Sequence, residues 1–295
     1  TVWDFRAAMN FSLGGMSSGL AVVAGLAHAS GFLTAEALLM LYVAAAIGMA
    51  IGLTFVFFEI GRKHRFLNVL RRPHTSWMTR ETYVVAAMYP TLLVDLLWPS
   101  GLMHGLFALE AAAFLLCQAM ILPTGKGIPA WRAPLMPWML GATGLLEGAG
   151  LLAVGAALSA AMAGAADFAA SAGLGLGAVS GVLWFAYRKG ARRCGIAVLA
   201  RRELDRINAL MHLGGHVAPI LLFAAFLGIE PRMPILLALG GAAAVAGGVL
   251  WKFTVITRAC HQQGFALPNL PRRGAGTRAA PARLGGMGPA ALRST

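Results

Sequence analysis

"ALLMLYVAAAIGMAIGLTFVFF", Ala37 to Phe58, contains no charged residue. As a helix rising 1.5 Å per residue it covers the roughly 30 Å hydrocarbon core of a bilayer. Runs of the same kind extend from Ala7 to Ala27, Tyr83 to Trp98, Gly101 to Leu122, Leu135 to Ala160, Phe168 to Tyr187, Ile207 to Leu227 and Met233 to Ile256. The whole chain is 58% hydrophobic and 12% charged, with a mean hydropathy of +0.72, whereas soluble domains carry about a quarter of their residues charged. Lipid admits only helices and closed barrels, because an unpaired backbone amide in hydrocarbon costs several kcal/mol. Alternation of period two, the mark of a barrel, is absent. The sequence therefore predicts an all-α, polytopic membrane protein with eight transmembrane helices in a bundle. No cleavable leader is expected, since the first apolar run is too long and lacks a small-residue cleavage site.

Charge assigns the sides. The net charge of +13 lies almost wholly in alternate connections. Arg6 precedes the first run, and Arg62, Lys63, Arg65, Arg71, Arg72 and Arg80 sit between the second and third. Lys126 and Arg132 follow the fourth, and Arg188, Lys189, Arg192, Arg193, Arg201, Arg202 and Arg206 follow the sixth. Lys252 and Arg258 close the eighth, and more arginines fill the tail. Only Arg232 falls in an odd-numbered connection. This bias is the positive-inside pattern, so both termini are expected in the cytoplasm. It accounts for the basic charge without nucleic acid and leaves contact with acidic lipid headgroups as a further use. Residues 1–260 read as one membrane domain and 261–295 as a cytoplasmic Gly/Pro/Arg-rich tail that cannot bury enough surface to fold alone.

Small residues spaced four apart, Gly15 and Gly19, Gly144 and Gly148, and Gly173, Gly177 and Gly181, predict close helix crossings. Cys117, Cys194 and Cys260 are too few and too scattered to hold an iron-sulfur cluster. Ionisable residues within the spans are costly and point to function. Asp95, Glu110 and Glu147 are candidates for a proton pathway, or else protonated packing groups. His212 and His216 stand one turn apart near the cytoplasmic end. Haem b is disfavoured, because no pair of helices offers histidines at matching depth.

The densest charge is "FEIGRKHRFLNVLRRPHTSWMTRE", Phe58 to Glu81, with six basic residues and two glutamates. Its carboxylates at the two membrane boundaries, basic groups at headgroup level and apolar Phe66, Trp77 and Met78 suit a quinone headgroup, which needs hydrogen-bond donors and a proton-exchanging group. An interfacial amphipathic helix anchoring the loop is the alternative.

Arg65, Phe66, Arg72, Pro73, Thr75, Ser76, Trp77, Met78, Arg80 and Glu81 resemble the loop between the second and third helices of the NrfD/DmsC/polysulfide-reductase family of membrane anchors. "QGFALPNLPRRG", Gln263 to Gly274, is also similar to members of that family. "EIGR" is similar to membrane subunits of phenylacetyl-CoA:acceptor oxidoreductases. Where many members have His and Pro, this chain has Glu59 and Lys63, so the resemblance carries over the location of the site at 59 but not its chemistry. It implies a quinone site (menaquinone or ubiquinone) at Glu59, Arg62, Arg65, Ser76, Trp77 and Glu81. It also implies two partners, a ferredoxin-like subunit with four iron-sulfur clusters and a molybdopterin catalytic subunit that transforms the substrate. The loop normally faces the iron-sulfur subunit, which the charge bias then places on the cytoplasmic side of a bacterial or archaeal inner membrane. A proton- or ion-translocating transporter and a haem-b anchor are the competing expectations.

Overall fold

The computed structural model describes residues 3–59, 63–261, 269–270 and 280–281, with the side chains of 63–66, 269–270 and 280–281 excepted. Arg62 and most of the tail therefore lie outside the described residues.

Helix α1, Phe5–Ala29, starts at Asp4, whose carboxylate accepts the Arg6 backbone N–H at 2.8 Å. The Arg6 side chain hydrogen-bonds the same carboxylate and holds it below the usual range. Arg6 Nη1 also donates to Phe58 O at 2.7 Å, which ties the start of α1 to the end of α2, Ala35–Glu59. Helix α1 is central and largely buried, packed between α2, α4 (Gly101–Ile121) and α5 (Met136–Leu158). Its crossing with α5 depends on missing side chains, because a methyl group on Gly148 would collide with the backbone of Gly19 and Leu20. Such contact gives helices in lipid their packing attraction.

Helix α3, Trp77–Leu97, and α4 form an antiparallel hairpin closed by Ser100, which caps α4 by accepting from Met103 N at 3.3 Å. Helix α3 begins six residues before the expected Tyr83. Ser76 caps it there, accepting from Thr79 N at 3.3 Å, so the first turn and a half is built from loop sequence. The chain continues through α6 (Ala166–Gly190), α7 (Val198–Leu210), α8 (Ala218–Gly228) and α9 (Pro234–Phe253).

Helices α7 and α8 are one span joined by a π-helical stretch, Met211–Val217. Pro219 lacks the N–H that would close on Gly215, and the ladder widens ahead of it. A second widening, Thr254–Arg258, ends the last span, where Trp131 Nε1 donates to Val255 O at 2.9 Å.

Among the described residues, seven helices are long and apolar enough to cross a membrane: Phe5–Ala29, Ala35–Glu59, Gly101–Thr124, Met136–Leu158, Ala160–Gly190, Val198–Gly228 and Pro234–Arg258. Helix α3 does not reach that measure, because Arg80, Glu81, Pro90 and Asp95 dilute its apolar content. The fold is thus all-helical and multi-pass, apart from a two-residue ladder pairing Asn269–Leu270 with Ala280–Pro281.

The connections gather at two ends. One end holds the 63–76 segment, residues 122–135, residues 191–197 and the start of α1, and it carries the basic residues. The other end holds the α1–α2, α3–α4, α5–α6 and α8–α9 turns. There Arg232 lies 3.2 Å from Glu230 and donates to Phe226 O at 2.8 Å.

Candidate functional site

At the basic end a cavity of about 370 Å³ lies between α1, α2, α3 and the end of α4. Trp3, Ala7, Phe11, Leu53, Val56, Met78 and Ile121 give it apolar walls, and Asn10, Glu59 and Glu81 are its polar groups. The basic segment positions Glu81. Helix α3 is locked to that segment by Thr79 Oγ1 donating to Val69 O, by Tyr83 OH donating to Leu70 O at 2.9 Å, and by Arg80 donating to Pro73 O at 2.9 Å and His74 O at 3.0 Å. The Arg80 guanidinium also covers the Trp77 ring at 4.2 Å. Between these anchored positions Glu81 is buried in the bundle, 6% exposed.

The structure therefore brings Glu59 and Glu81 together on one cavity. Ser76 is used as a helix cap and Trp77 as a platform for Arg80, and neither lines the cavity. Arg65 lies in a 3₁₀ turn, Lys63–Arg71, with its side chain outside the described residues.

Two buried atoms at this cavity lack hydrogen-bond partners: Oε1 of Glu81 and Oδ1 of Asn10, which is 4% exposed. Leaving a buried polar atom unmatched costs about 1–3 kcal/mol, so a pair of them at one apolar cavity makes it the candidate binding site. A carboxyl and an amide in apolar surroundings suit a ring bearing carbonyl or hydroxyl oxygens on an apolar tail.

Behind Asn10 the polar groups continue inward. Gln118 Nε2 donates to Asn10 O at 3.2 Å. Deeper, Lys252 Nζ donates to Glu147 Oε2 at 2.5 Å, with the two side chains 1% and 0% exposed. The sequence reading counted Lys252 among the basic residues of the cytoplasmic face, and the structure corrects this. The residue lies four positions before the end of the apolar run, and α9 turns its side chain into the core, where Gly15 and Gly248 leave room for the pair.

The other candidate carboxylates have partners of their own rather than forming one ladder. Glu110 accepts from Thr91 Oγ1 at 3.1 Å on the α3–α4 hairpin. Asp95, fully buried, meets His104 Nδ1 at 2.8 Å, near the end without basic loops. There the His28 and His104 rings touch edge to face, centroids 5.1 Å apart. The sequence reading had found no histidines at matching depth, yet these two are. Their direct contact leaves no room for a macrocycle between them.

His216 is buried on the π-helical stretch, its Nδ1 2.7 Å from Met211 O and its Nε2 3.4 Å from Ser180 Oγ. Among the described residues no group of three or more His, Cys, Asp or Glu converges as a metal site.

Sequence reasoning missed Asn10, Gln118 and Lys252 as members of one polar track. A single amide inside an apolar run gives no periodic signal, and the only hint was glycine opposite each of them. No protein-family model matches the chain, and no curated protein matches it either.

Proposed function

We propose that the chain is a quinone-binding membrane anchor of a molybdopterin/iron-sulfur oxidoreductase complex, passing electrons between the membrane quinone pool and an iron-sulfur subunit. The observation that carries this reading is the amphipathic cavity at the basic end, where two unmatched buried polar atoms, Glu81 Oε1 and Asn10 Oδ1, meet apolar walls.

A bound quinone would supply two-electron, two-proton redox chemistry, and menaquinone or ubiquinone both suit such walls. On the protein side, Glu81 and Asn10 hydrogen-bond the headgroup, and Glu59, half-buried at the end of α2, exchanges protons with the surface. Trp3, Phe11, Leu53 and Val56 exclude water from it. Arg192 and Arg193, exposed at the same end, offer an acidic partner a docking surface. The resemblance to the anchor family makes that partner the iron-sulfur subunit, with the molybdopterin subunit beyond it.

We further infer that α3 crosses the membrane with α4. The two helices are joined near their connection by Thr91–Glu110 and Asp95–His104, and at the opposite end Glu81 and Ile121 line one cavity. Eight spans then return both termini to one side, and the Lys/Arg bias makes that side cytoplasmic.

Trp3 provides the test. Decylubiquinone titrated into the purified chain should quench tryptophan fluorescence saturably, and Trp3→Phe should remove the saturable part. Glu81→Gln should weaken binding of the reduced form, decylubiquinol, on the order of tenfold, because its hydroxyl donates to the carboxylate and hydrogen bonds to charged groups contribute about 1.5–3 kcal/mol. Saturable quenching of full amplitude in Trp3→Phe would place the quinone elsewhere and refute the assignment. A second reading, a proton- or ion-translocating carrier, draws on the buried Lys252–Glu147 pair. It expects proton flux in quinone-free liposomes, which the first does not.

A further inference from the structure

The Lys252–Glu147 pair joins α9 to α5 in the middle of the bundle, and nothing in the quinone cavity itself requires it. Its room is made by absent side chains. A Cβ on Gly15 would lie 2.6 Å from Lys252 Nζ, and one on Gly248 would collide with Glu147 Oε1. Glu147 Oε2 takes the Lys252 proton donor at 2.5 Å, while Oε1 is buried without a partner. Lys252 is the charged group that Glu147 faces. The pair is bordered by the neutral Gln118 of α4 and by Gly15 of α1.

The pair is not isolated from the cavity. The same Gly15 position is 3.4 Å from Gln118 Oε1. Nζ and Oε1 thus flank one point on α1 without a direct hydrogen bond between them, and a bridging water would complete the link. Gln118 in turn donates to the backbone carbonyl of Asn10 at 3.2 Å, and Asn10 lines the cavity. Asn10, through its backbone carbonyl, and the side chains of Gln118, Lys252 and Glu147 follow one another inward through largely apolar packing. They run from the cavity to a carboxylate oxygen with nothing bound to it.

We propose that Glu147, held by Lys252, is a proton station serving the cavity by way of Gln118 and Asn10. The inference rests on the cavity being the quinone site. Oxidation of a quinol releases two electrons and two protons. The electrons leave to a one-electron acceptor of the iron-sulfur class, or to an electrode in vitro. One proton leaves through Glu81 and Glu59 to the basic face. The other moves inward and forms an O–H bond at Glu147 Oε1, while Lys252 keeps its own three protons and its bond to Oε2. Reduction reverses both transfers. Lys252 holds Glu147 in place through Oε2 and leaves Oε1 to take the proton. It is a positioning residue and touches neither the headgroup nor the proton in flight.

The test is infrared difference spectroscopy on the purified full-length chain loaded with decylubiquinone, cycled between its oxidised and reduced forms at an electrode. Oxidation should bring up a protonated-carboxyl C=O band, one component of which is lost in the double variant E147Q/K252M. That variant leaves no buried charge unpaired. Q118M, which changes no charge, should lose most of the same component while keeping the saturable Trp3 quench. It carries the test by itself should the double variant not fold. A component of full size in either variant overturns the station, as does a wild-type spectrum without it when the Trp3 quench is normal. Absence of the Trp3 quench in the wild type instead removes the cavity assignment on which the station rests.

Discussion

Replacing Lys252 with Met is the sharpest probe of the bundle core. Methionine keeps an unbranched, flexible side chain of similar reach in the space beside Gly15 and removes only the charge. What remains is a Glu147 carboxylate that is 0% exposed and has no donor on Oε1. Breaking a buried pair by removing one partner costs about 3–5 kcal/mol, because the survivor has lost both water and its counter-charge. Domains of 150–250 residues lose about 2–4 °C in Tm per kcal/mol, so K252M should melt on the order of 10 °C below the wild type. Neutralising both partners in E147Q/K252M should recover most of that loss, since buried pairs replaced whole are often neutral or stabilising. The chain carries its own reporters. Cys117 and Cys260 are buried and Cys194 is exposed, so in a Cys194→Ser background a thiol-reactive dye reads unfolding directly. A K252M midpoint within about 2 °C of the background value would refute the reasoning. A double variant melting as low as the single would do the same, because unpaired charge could not then be the cause.

Further outcomes follow from other contacts. Gly148→Ala should destabilise by about 1–3 kcal/mol or more, because the added methyl overlaps the backbone of Gly19 and Leu20 and no rotamer relieves it; the same thiol-dye melt measures it. Ser76→Ala should cost about 1 kcal/mol through the lost α3 cap, while Ser76→Asp, which restores an acceptor, should recover it. Alkaline phosphatase fused after the last residue should be inactive, and the same enzyme inserted at the α8–α9 turn beside Arg232 should be active; the opposite pattern overturns the cytoplasmic assignment of the termini.

The spans were legible because the bilayer imposes a length and a polarity that a sequence cannot disguise. The expected Ala37 to Phe58 lies within α2, Ala35–Glu59, and Gly101 to Leu122 matches α4 to one residue. The α3 start was not legible. The residues that build its first turn, Trp77 to Thr82, sit in a stretch whose arginines read as surface. Only the folded loop shows that Arg80 is spent on the carbonyls of Pro73 and His74.

Lys252 was misread for a related reason. Position along the chain says how near a charge is to a helix end but not which way it turns, and its partner is 105 residues away. His28 and His104 were hidden in the same way, each near the end of a different helix. Glu59 and Glu81 could be named from sequence because both flank one loop. Asn10, which completes their cavity, lies on a helix that no local pattern links to them.

In a membrane the cost of a bare polar atom sorts structural groups from working ones. Asp95 has His104, Tyr42 has the His104 carbonyl at 2.9 Å, and Trp251 has Thr143 at 3.1 Å. These groups rigidify the bundle and have little left to offer a ligand or a proton. Glu81 Oε1, Asn10 Oδ1 and Glu147 Oε1 are different, because each is buried and each is bare. The first two meet at one cavity, and the third ends the polar track that leaves it. Imperfect packing scatters unmatched atoms, as Ser12 Oγ and Glu110 Oε2 show. Two bare oxygens at one cavity and a third on Glu147, with glycines cleared around it, are what we propose a fold retains when the missing partners arrive and leave.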